Sequence, residues 1–511
     1  MTNLSPHEIA RSPLLHLSLV ERAEPMWRLS SDKAGVPVST GFLLEHKAHL
    51  SDPHTVVILQ DAKPLLRRLL KDGIDIARPA CLTTLEKISF QAPEPKENVF
   101  DHLDSLLDAV TAQSSKALAR LECLAIRPFA HMEAKGLYID SQRWSLAVAE
   151  RRKQADEATK ACEDFLAPYA QKDLFNNPII NLNNLEEMRS LFEKALGKNI
   201  ATLSNEVLET LDAPLAQAYL QYREAAKIVS TYGERFLEHV DPKTKRIHAE
   251  FHLLSVSTGR TSCTKPNLQN LPSDPKFADC LVAPAGRALI HADFSACELR
   301  VLAGLAQDPN FLAAINSDED FHSTVASSLF GVKVSKTENP HLRQRAKAIN
   351  FGIIYGMGAK GLARSLDIGD DEAQNILSLY FSQYSRVRDY LEGCVSTAKR
   401  LGYARTLLGR RLHFPDAQGE GADISRIAKN MPIQGTAAEL AKLAMTRVHE
   451  RLSQEFKEAY LVNMIHDELV VECRDSDNEA VSEAVKEEMM GAQEALFSQV
   501  RPDVEISRQV F

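Results

Sequence analysis

Residues 343–356 read RQRAKAINFGIIYG. Arg343, Lys347, Phe351 and Tyr355 recur every four residues, and side chains four apart share one face of a helix. Each step of four advances about 400°, so the stripe drifts by only about 40° per step. It runs from cations to aromatic rings. Cations can hold phosphates and a flat ring can stack on a base, so the stripe suits a nucleoside triphosphate laid along the helix. An amphipathic core helix with a solvated basic end shows the same pattern, and the segment alone leaves both readings open.

Two apolar runs supply a second chemistry. RALIHADFS is a short strand-like run reaching Asp293, and AYLVNMIHDELVVEC is two such runs folded about His466 and Asp467, a hairpin signal. Two-metal nucleotidyl transfer needs carboxylates fixed on rigid strands, because cations about 3.5–4 Å apart must clamp the attacking and leaving oxygens. Taken singly, an Asp at a strand end or turn is usually a turn former.

The elements around these residues must position them. The chain has 511 residues, enough for several domain-sized units, with an ordinary hydrophobic fraction of 44% and charged fraction of 25%. The first hundred residues alternate short apolar runs with Pro-containing breaks, as a small α/β unit would. QAPEPKENV (91–99) is the most linker-like stretch. From about 100 to 237 the periodicity is mostly helical. QNILSLYF (374–381) fits a sliding-clamp peptide pattern, but Ile376, Leu377 and Tyr380 also fall at core spacing, and core packing is the reading preferred.

Composition narrows the partners. The net charge of −9 argues against a uniformly basic nucleic-acid binder. Yet His341–Leu366 carries five Lys/Arg and no acid, and KRLGYARTLLGRR (399–411) is similar, so a basic groove is compatible with the total. The eight cysteines form no C-x-x-C pair, which points to reduced thiols rather than zinc or disulfides. No apolar run reaches membrane-spanning length and the first residues lack a signal-peptide pattern, so an intracellular protein without membrane contact is expected.

DFSACELR (293–300), RQRAKAINFGIIYG and MIHDELVVE (464–472) resemble, in order, the three polymerase motifs of family A DNA polymerases, the bacterial DNA polymerase I type. Further blocks resemble the family too: LQYREAAKIVSTY (220–232), STGRTSCTKPNLQNLP (257–272), DFHSTVASSLFG (320–331), LLGRRLHFPD (407–416) and NMPIQGTAAEL (430–440). The resemblance covers about 117–500. It implies an α/β multidomain fold, a right hand of palm, fingers and thumb, preceded by a small exonuclease-like remnant. The expected division is 1–116 remnant, 117–255 palm entry and helical thumb, 256–305 palm, 306–424 fingers and 425–511 palm.

The resemblance also implies roles. Asp293 and Asp467 match the pair that binds two Mg²⁺ ions, with Mn²⁺ as an alternative, and the main-chain carbonyl of Phe294 is a further ligand. Glu468 sits beside them. Arg343, Lys347 and His322 match triphosphate contacts, and Lys347 would offset charge on the leaving pyrophosphate. Phe351 and Tyr355 match rings framing the nascent base pair on a mobile fingers helix. Glu298 resembles the residue that crowds out a 2′-hydroxyl. Arg260, Gln434 and His466 match contacts to the primer end or minor groove, where acceptors common to all base pairs check shape. Asn267, Gln269, Arg426 and Asn430 are further members of that set. The implied function is primer extension with dNTPs on primer-template DNA by a monomer, cytoplasmic and nucleoid-associated, encoded by host, plasmid or phage. A catalytically silent primer-template scaffold of the same fold is the alternative, and the sequence is mute on a clamp or helicase partner.

Three departures stand out. Ala296-Cys297 replaces the usual Gln-Ile, and the C-terminal stretch VRPDVEISRQVF lacks the Trp and final His of many relatives. Residues 1–120 contain no D-x-E and no tyrosine, and Pro64 and Leu65 stand near where an exonuclease aspartate would fall. No proofreading is therefore expected, and the length leaves no room for a 5′-nuclease domain. Asp61, Asp72 and Asp75 read as turn and surface acids, with DGID (72–75) a turn between helix and strand.

Overall fold

Alternating apolar runs near the start of the chain become strands. The computed structural model describes residues 12, 14–20, 26–30, 35–89, 92–96, 98–113, 115–272, 274–414 and 424–510. The chain divides into two compact units, one of residues 1–136, 249–269 and 283–511, the other of residues 137–248 and 270–282.

The first unit opens with a mixed sheet of β1 (Leu14–Val20), β2 (Met26–Ser30), β3 (Gly35–Ser39), β4 (Val56–Leu59) and β5 (Arg78–Cys81), in the order β3-β2-β1-β4-β5. β4 is parallel to both β1 and β5, and helix α1 (Ala62–Lys71) is the crossover between β4 and β5. Residues 92–96 are irregular, in keeping with the linker expected there; residues 91 and 97 lie outside the described set. Helix α2 (Lys116–Lys135) follows, capped by Ser115, whose hydroxyl accepts from the Leu118 amide.

Asp72 and Gly73 do turn the chain after α1, but Asp75 departs from the surface acid expected. Its carboxylate takes a two-pronged contact from Arg127 at 2.6–3.1 Å and one from His131 Nε2 at 3.0 Å, both on α2. Burial alone would raise its pKa. The hydrogen bonds from His131 and Arg127 outweigh burial and hold it well below the carboxylate range.

The sheet that matters for function has four strands: β6 (Arg287–Phe294), β7 (Tyr460–Ile465), β8 (Glu468–Arg474) and β9 (Val504–Val510), ordered β7-β8-β6-β9 and antiparallel throughout. Leu469–Cys473 of β8 are all buried, as expected of a strand with neighbours on both sides. Between β6 and β7 run helices α3 (Cys297–Ala306), α4 (Phe321–Phe330), α5 (Pro340–Ile354), α6 (Asp370–Gln383) and the long α7 (Ile424–Glu455); α8 (Asn478–Leu496) follows β8 and packs on β6 and β9.

One buried ion cluster ties α2 to α7. Lys442 Nζ donates to both oxygens of Glu122 at 2.9 Å and to the Leu253 carbonyl at 3.0 Å, and Arg410 shares Glu122. Charges this buried demand partners, so the cluster fixes which elements meet.

The second unit is helical. Its core joins the helices Ser141–Leu166, Leu185–Leu196 and Pro214–Tyr232 through Cys162, Leu166, Leu191, Phe192 and Tyr219. Trp144 stacks on Phe236 with ring centroids 4.3 Å apart. All eight cysteines are free thiols. No helix among the described residues is long and apolar enough to cross a membrane.

Candidate active site

Strand geometry brings the two aspartates together. Asp293 is the penultimate residue of β6, opposite Glu468 of β8 and Glu505 of β9. Asp467 lies in the two-residue turn between β7 and β8, where His466 adopts the left-handed backbone (φ 58°) that tight hairpins require. Burial pushes Asp293 up to about 7, and the charges of Asp467, Glu468 and Glu505 add to the effect. Burial raises Asp467 as well. Glu468 is hydrogen-bonded to His291 Nδ1 at 2.5 Å. The two aspartates are therefore short of positive charge, which is the condition a divalent cation relieves.

No group of three or more His, Cys, Asp or Glu side chains among the described residues is arranged to hold a metal by itself. Asp293 and Asp467 thus fit a hard cation that takes the rest of its shell from a main-chain carbonyl such as that of Phe294, from water and from substrate phosphates, as Mg²⁺ commonly does.

A cleft of ≈ 1080 Å³ opens beside Asp293, and Asp320, His322, Arg343, Lys347 and Phe351 line it. The four-residue stripe forms as its spacing implies. Pro340 starts α5 at a position where its missing N–H costs nothing, and Tyr355 ends it. Gly356 follows with φ 69°, and a Cβ there would lie 3.2 Å from the Arg426 Cα, so α5 and α7 meet closely at this point. Phe351 and Tyr355 stack with centroids 6.5 Å apart and an interplanar angle of 21°.

The cations differ in their engagement. Arg343 is gripped by Asp320 through Nε at 2.9 Å and Nη2 at 2.8 Å, while Lys347 makes no ion pair among the described residues. Asp320 also caps α4 by accepting from the Ser323 amide. The motif reading passed over Asp320, although an Asp just before an apolar helical run is a recognisable cap signal. His322 is buried, and that burial, reinforced by Arg343 and Lys347, lowers its pKa to about 4.

Glu298 and Arg260 form an ion pair, and the Tyr355 hydroxyl lies against the same carboxylate. Burial nonetheless raises the Glu298 pKa overall. Arg260 and Glu298 line a small cavity with Met464, His466 and Asp467. Ala296 begins α3 with φ 52°, a left-handed conformation costing a non-glycine residue about 1 kcal/mol. Arg300 braces that turn by donating to the Ser295 carbonyl at 2.9 Å and pairing with Asp503 at 3.1 Å.

The remaining predicted residues fall on two elements. Arg426, Asn430 and Gln434 are spaced by four along α7, one face of its first half, and Gly435 lets Thr406 and Thr258 come close beside them: a Cβ there would meet Thr406 Cγ2 at 2.4 Å. Arg426 is exposed and the other two half-buried. Asn267 and Gln269 lie after the short strand Ser262–Thr264. Gln269 is buried, its Nε2 donating to Thr261 Oγ1 at 3.1 Å and the Met464 carbonyl at 3.2 Å. That amide nitrogen ties the loop to β7, and the Asn267 side chain accepts from the Gln269 amide.

Comparison with known proteins agrees with this architecture. The family model for DNA polymerase family A matches residues 149–509. The thermostable DNA polymerase I of Thermus aquaticus is 36% identical over 386 residues, 71% of this chain and 44% of the relative. DNA polymerase I of Pseudomonas aeruginosa is 39% identical over 289 residues, 55% of this chain and 32% of its own. The chain thus spans less than half the length of these curated relatives. Among solved structures, the POL domain of Pol1 from M. smegmatis, in complex with DNA primer-template and dNTP, superposes with a TM-score of 0.83 at 26% identity, covering 97% of this chain and 94% of that one. With palm, fingers and thumb architecture and a family match over most of its length, the chain belongs to DNA polymerase family A.

Proposed function

We propose that the protein performs template-directed DNA synthesis, adding deoxynucleotides to a primer 3′-hydroxyl and releasing pyrophosphate. One observation carries the reading: Asp293, short of positive charge, opens onto the same cleft as Arg343, Lys347, His322 and Phe351. A carboxylate wanting cations, beside cations wanting phosphate, is the arrangement a metal-bound triphosphate completes. The primer-template and dNTP of the structural neighbour support the same partners here.

Asp293, Asp467 and the Phe294 carbonyl would hold two Mg²⁺ ions, or Mn²⁺ in their place, which when bound stabilise charge on the attacking and leaving oxygens. Lys347, which makes no ion pair among the described residues, would meet the leaving pyrophosphate. Arg343 positions the triphosphate while Asp320 holds its guanidinium plane. Phe351 and Tyr355 frame the new base pair. Glu298, anchored by Arg260, crowds the sugar at C2′. Arg260, Asn267, Gln269, Arg426, Asn430, Gln434 and His466 form the duplex-facing set.

In this reading residues 117–255 contribute palm entry and thumb, 256–305 and 425–511 palm, and 306–424 fingers. Residues 1–116 are an exonuclease relic without proofreading, and the enzyme acts as an intracellular monomer at the nucleoid. Primer extension on a defined template, with dNTPs and rNTPs compared in Mg²⁺, tests the reading against the silent-scaffold alternative. Extension with dNTPs, absent from an Asp293→Asn, Asp467→Asn double variant, is expected. Tight primer-template binding with no extension would establish the scaffold instead. A 3′-labelled mismatched duplex without nucleotides should release no label above the double variant.

A further inference from the structure

Behind His322 lies a chain of buried polar groups that the cleft does not expose. Asn350, on α5 one residue before Phe351, is fully buried. Its Nδ2 is 3.1 Å from His322 Nδ1, and its Oδ1 is 3.1 Å from the hydroxyl of Tyr380, itself fully buried on α6. Three helices meet in these two hydrogen bonds, α4 through His322, α5 through Asn350 and α6 through Tyr380.

The direction of the bonds follows from what each group can do. A buried tyrosine hydroxyl must donate its proton or forfeit a hydrogen bond, and Asn350 is its hydrogen-bond partner. The amide therefore turns its oxygen to Tyr380 and its NH₂ to His322. An imidazole nitrogen that accepts carries no proton, so Nδ1 is bare and Nε2 bears the hydrogen. His322 itself is among the residues lining the cleft, with Arg343 and Lys347. Burial disfavours a positive charge on the imidazole, and Arg343 and Lys347 add to that effect while Asp320 opposes it.

We propose that Tyr380 and Asn350 are positioning residues that lock His322 as the neutral Nε2–H tautomer, so that it presents one fixed donor to the incoming triphosphate. This rests on the polymerase reading for the identity of the anion, but not for the tautomer. It assigns a role to Tyr380 beyond the core packing its spacing implies. A neutral donor, unlike a third cation, leaves the cleft's charge to Arg343 and Lys347 and adds direction instead.

The test separates tautomer from activity. Long-range ¹H–¹⁵N spectra of the full chain labelled in histidine, without DNA or nucleotide, with His322 assigned by its absence from His322→Ala, report which ring nitrogen is protonated. Wild type should show Nδ1 bare and Nε2 protonated. Tyr380→Phe keeps the ring in its packing and removes only the hydroxyl; Asn350 is then free to turn, and His322 should become a tautomer mixture. Steady-state extension should show KM for dNTP raised about five-fold, the effect of one neutral hydrogen bond, with kcat and primer-template Kd little changed. The same substitution in a His322→Ala background should add nothing to KM. Asn350→Asp, whose carboxylate can only accept, should move the proton to Nδ1. A wild-type His322 protonated at Nδ1, a tautomer indifferent to Tyr380→Phe, or a tautomer that moves while KM stays put would each overturn the assignment. An inactive wild type with the expected spectra would fault the polymerase reading while leaving the tautomer assignment standing.

Discussion

Asp293 and Glu468 face one another across the antiparallel register of the two central strands, yet it is Glu468 that is hydrogen-bonded to an imidazole, that of His291, two residues before Asp293 on the same strand. The charge deficit is thereby concentrated on Asp293 and on Asp467 at the adjoining turn.

Removing one of these carboxylates should separate activity from stability. Asp293→Asn or Asp467→Asn should lower kcat by roughly three orders of magnitude or more while primer-template binding survives. In chelator the same variants should melt about 1–2 °C higher than wild type, since like charges no longer repel. The pH dependence has a definite sign. The Asp293 pKa lies near 7 in the folded protein and about 4 unfolded, so the native state binds the extra proton between those values. Metal-free stability should fall as pH rises through that window, and Asp293→Asn should remove this contribution. Calorimetry across pH 4–8 checks it.

Lys347→Ala and Arg343→Ala should differ although both face the cleft. Lys347 has no ion pair to lose among the described residues, so its removal should raise dNTP KM and lower kcat with the melting temperature within about 1 °C of wild type. Arg343→Ala strands the Asp320 carboxylate as well, and should cost about 1–2 kcal/mol of stability besides its effect on nucleotide use. Denaturant melts beside nucleotide titrations distinguish the two.

Glu298→Ala should raise the rNTP-to-dNTP incorporation ratio at least about ten-fold and slow normal synthesis, because it releases both Arg260 and the Tyr355 hydroxyl. An unchanged ratio would remove Glu298 as the sugar gate. Phe351→Tyr should ease dideoxynucleotide incorporation, read from termination ratios on one template.

Asp75→Asn should destabilise the first unit by about 1–2 kcal/mol at neutral pH, because two hydrogen-bonded partners on α2 lose their anion. With a depressed native pKa, the wild-type advantage is full above the unfolded value of about 4 and is lost as pH falls through the native value. Melting both proteins from pH 7 down to 3 should show the difference shrink.

The sequence made some of this legible and hid the rest for physical reasons. β6 and the β7–β8 hairpin were readable because apolar runs ended at a turn-forming Asp, and α5 was readable because its spacing of four is local. QNILSLYF was read as core packing, and Leu377 and Tyr380 are buried on α6 while Ile376 is only half-buried. Asp320 gripping Arg343, Asn350 joining His322 to Tyr380, and Asp75 meeting α2 are contacts between residues far apart in sequence. No periodicity encodes such partners. Asp75 was misjudged for that reason, since DGID has the composition of a turn whatever lies opposite it.

The order β7-β8-β6-β9 has a consequence for synthesis of the protein in the cell. A ribosome makes β6 first, and the strand that carries Asp293 then emerges with neither neighbour yet translated. β8 arrives only after the whole run of helices α3 to α7, and β9 after α8. Until then the apolar residues Ala288–Ile290 have no sheet to enter, and such an unpaired strand is a hazard for association with other nascent chains. Asp293 therefore gains its cross-strand neighbours Glu468 and Glu505 only after residue 505 has been made, so the acidic frame of the site is among the last features of the chain to form.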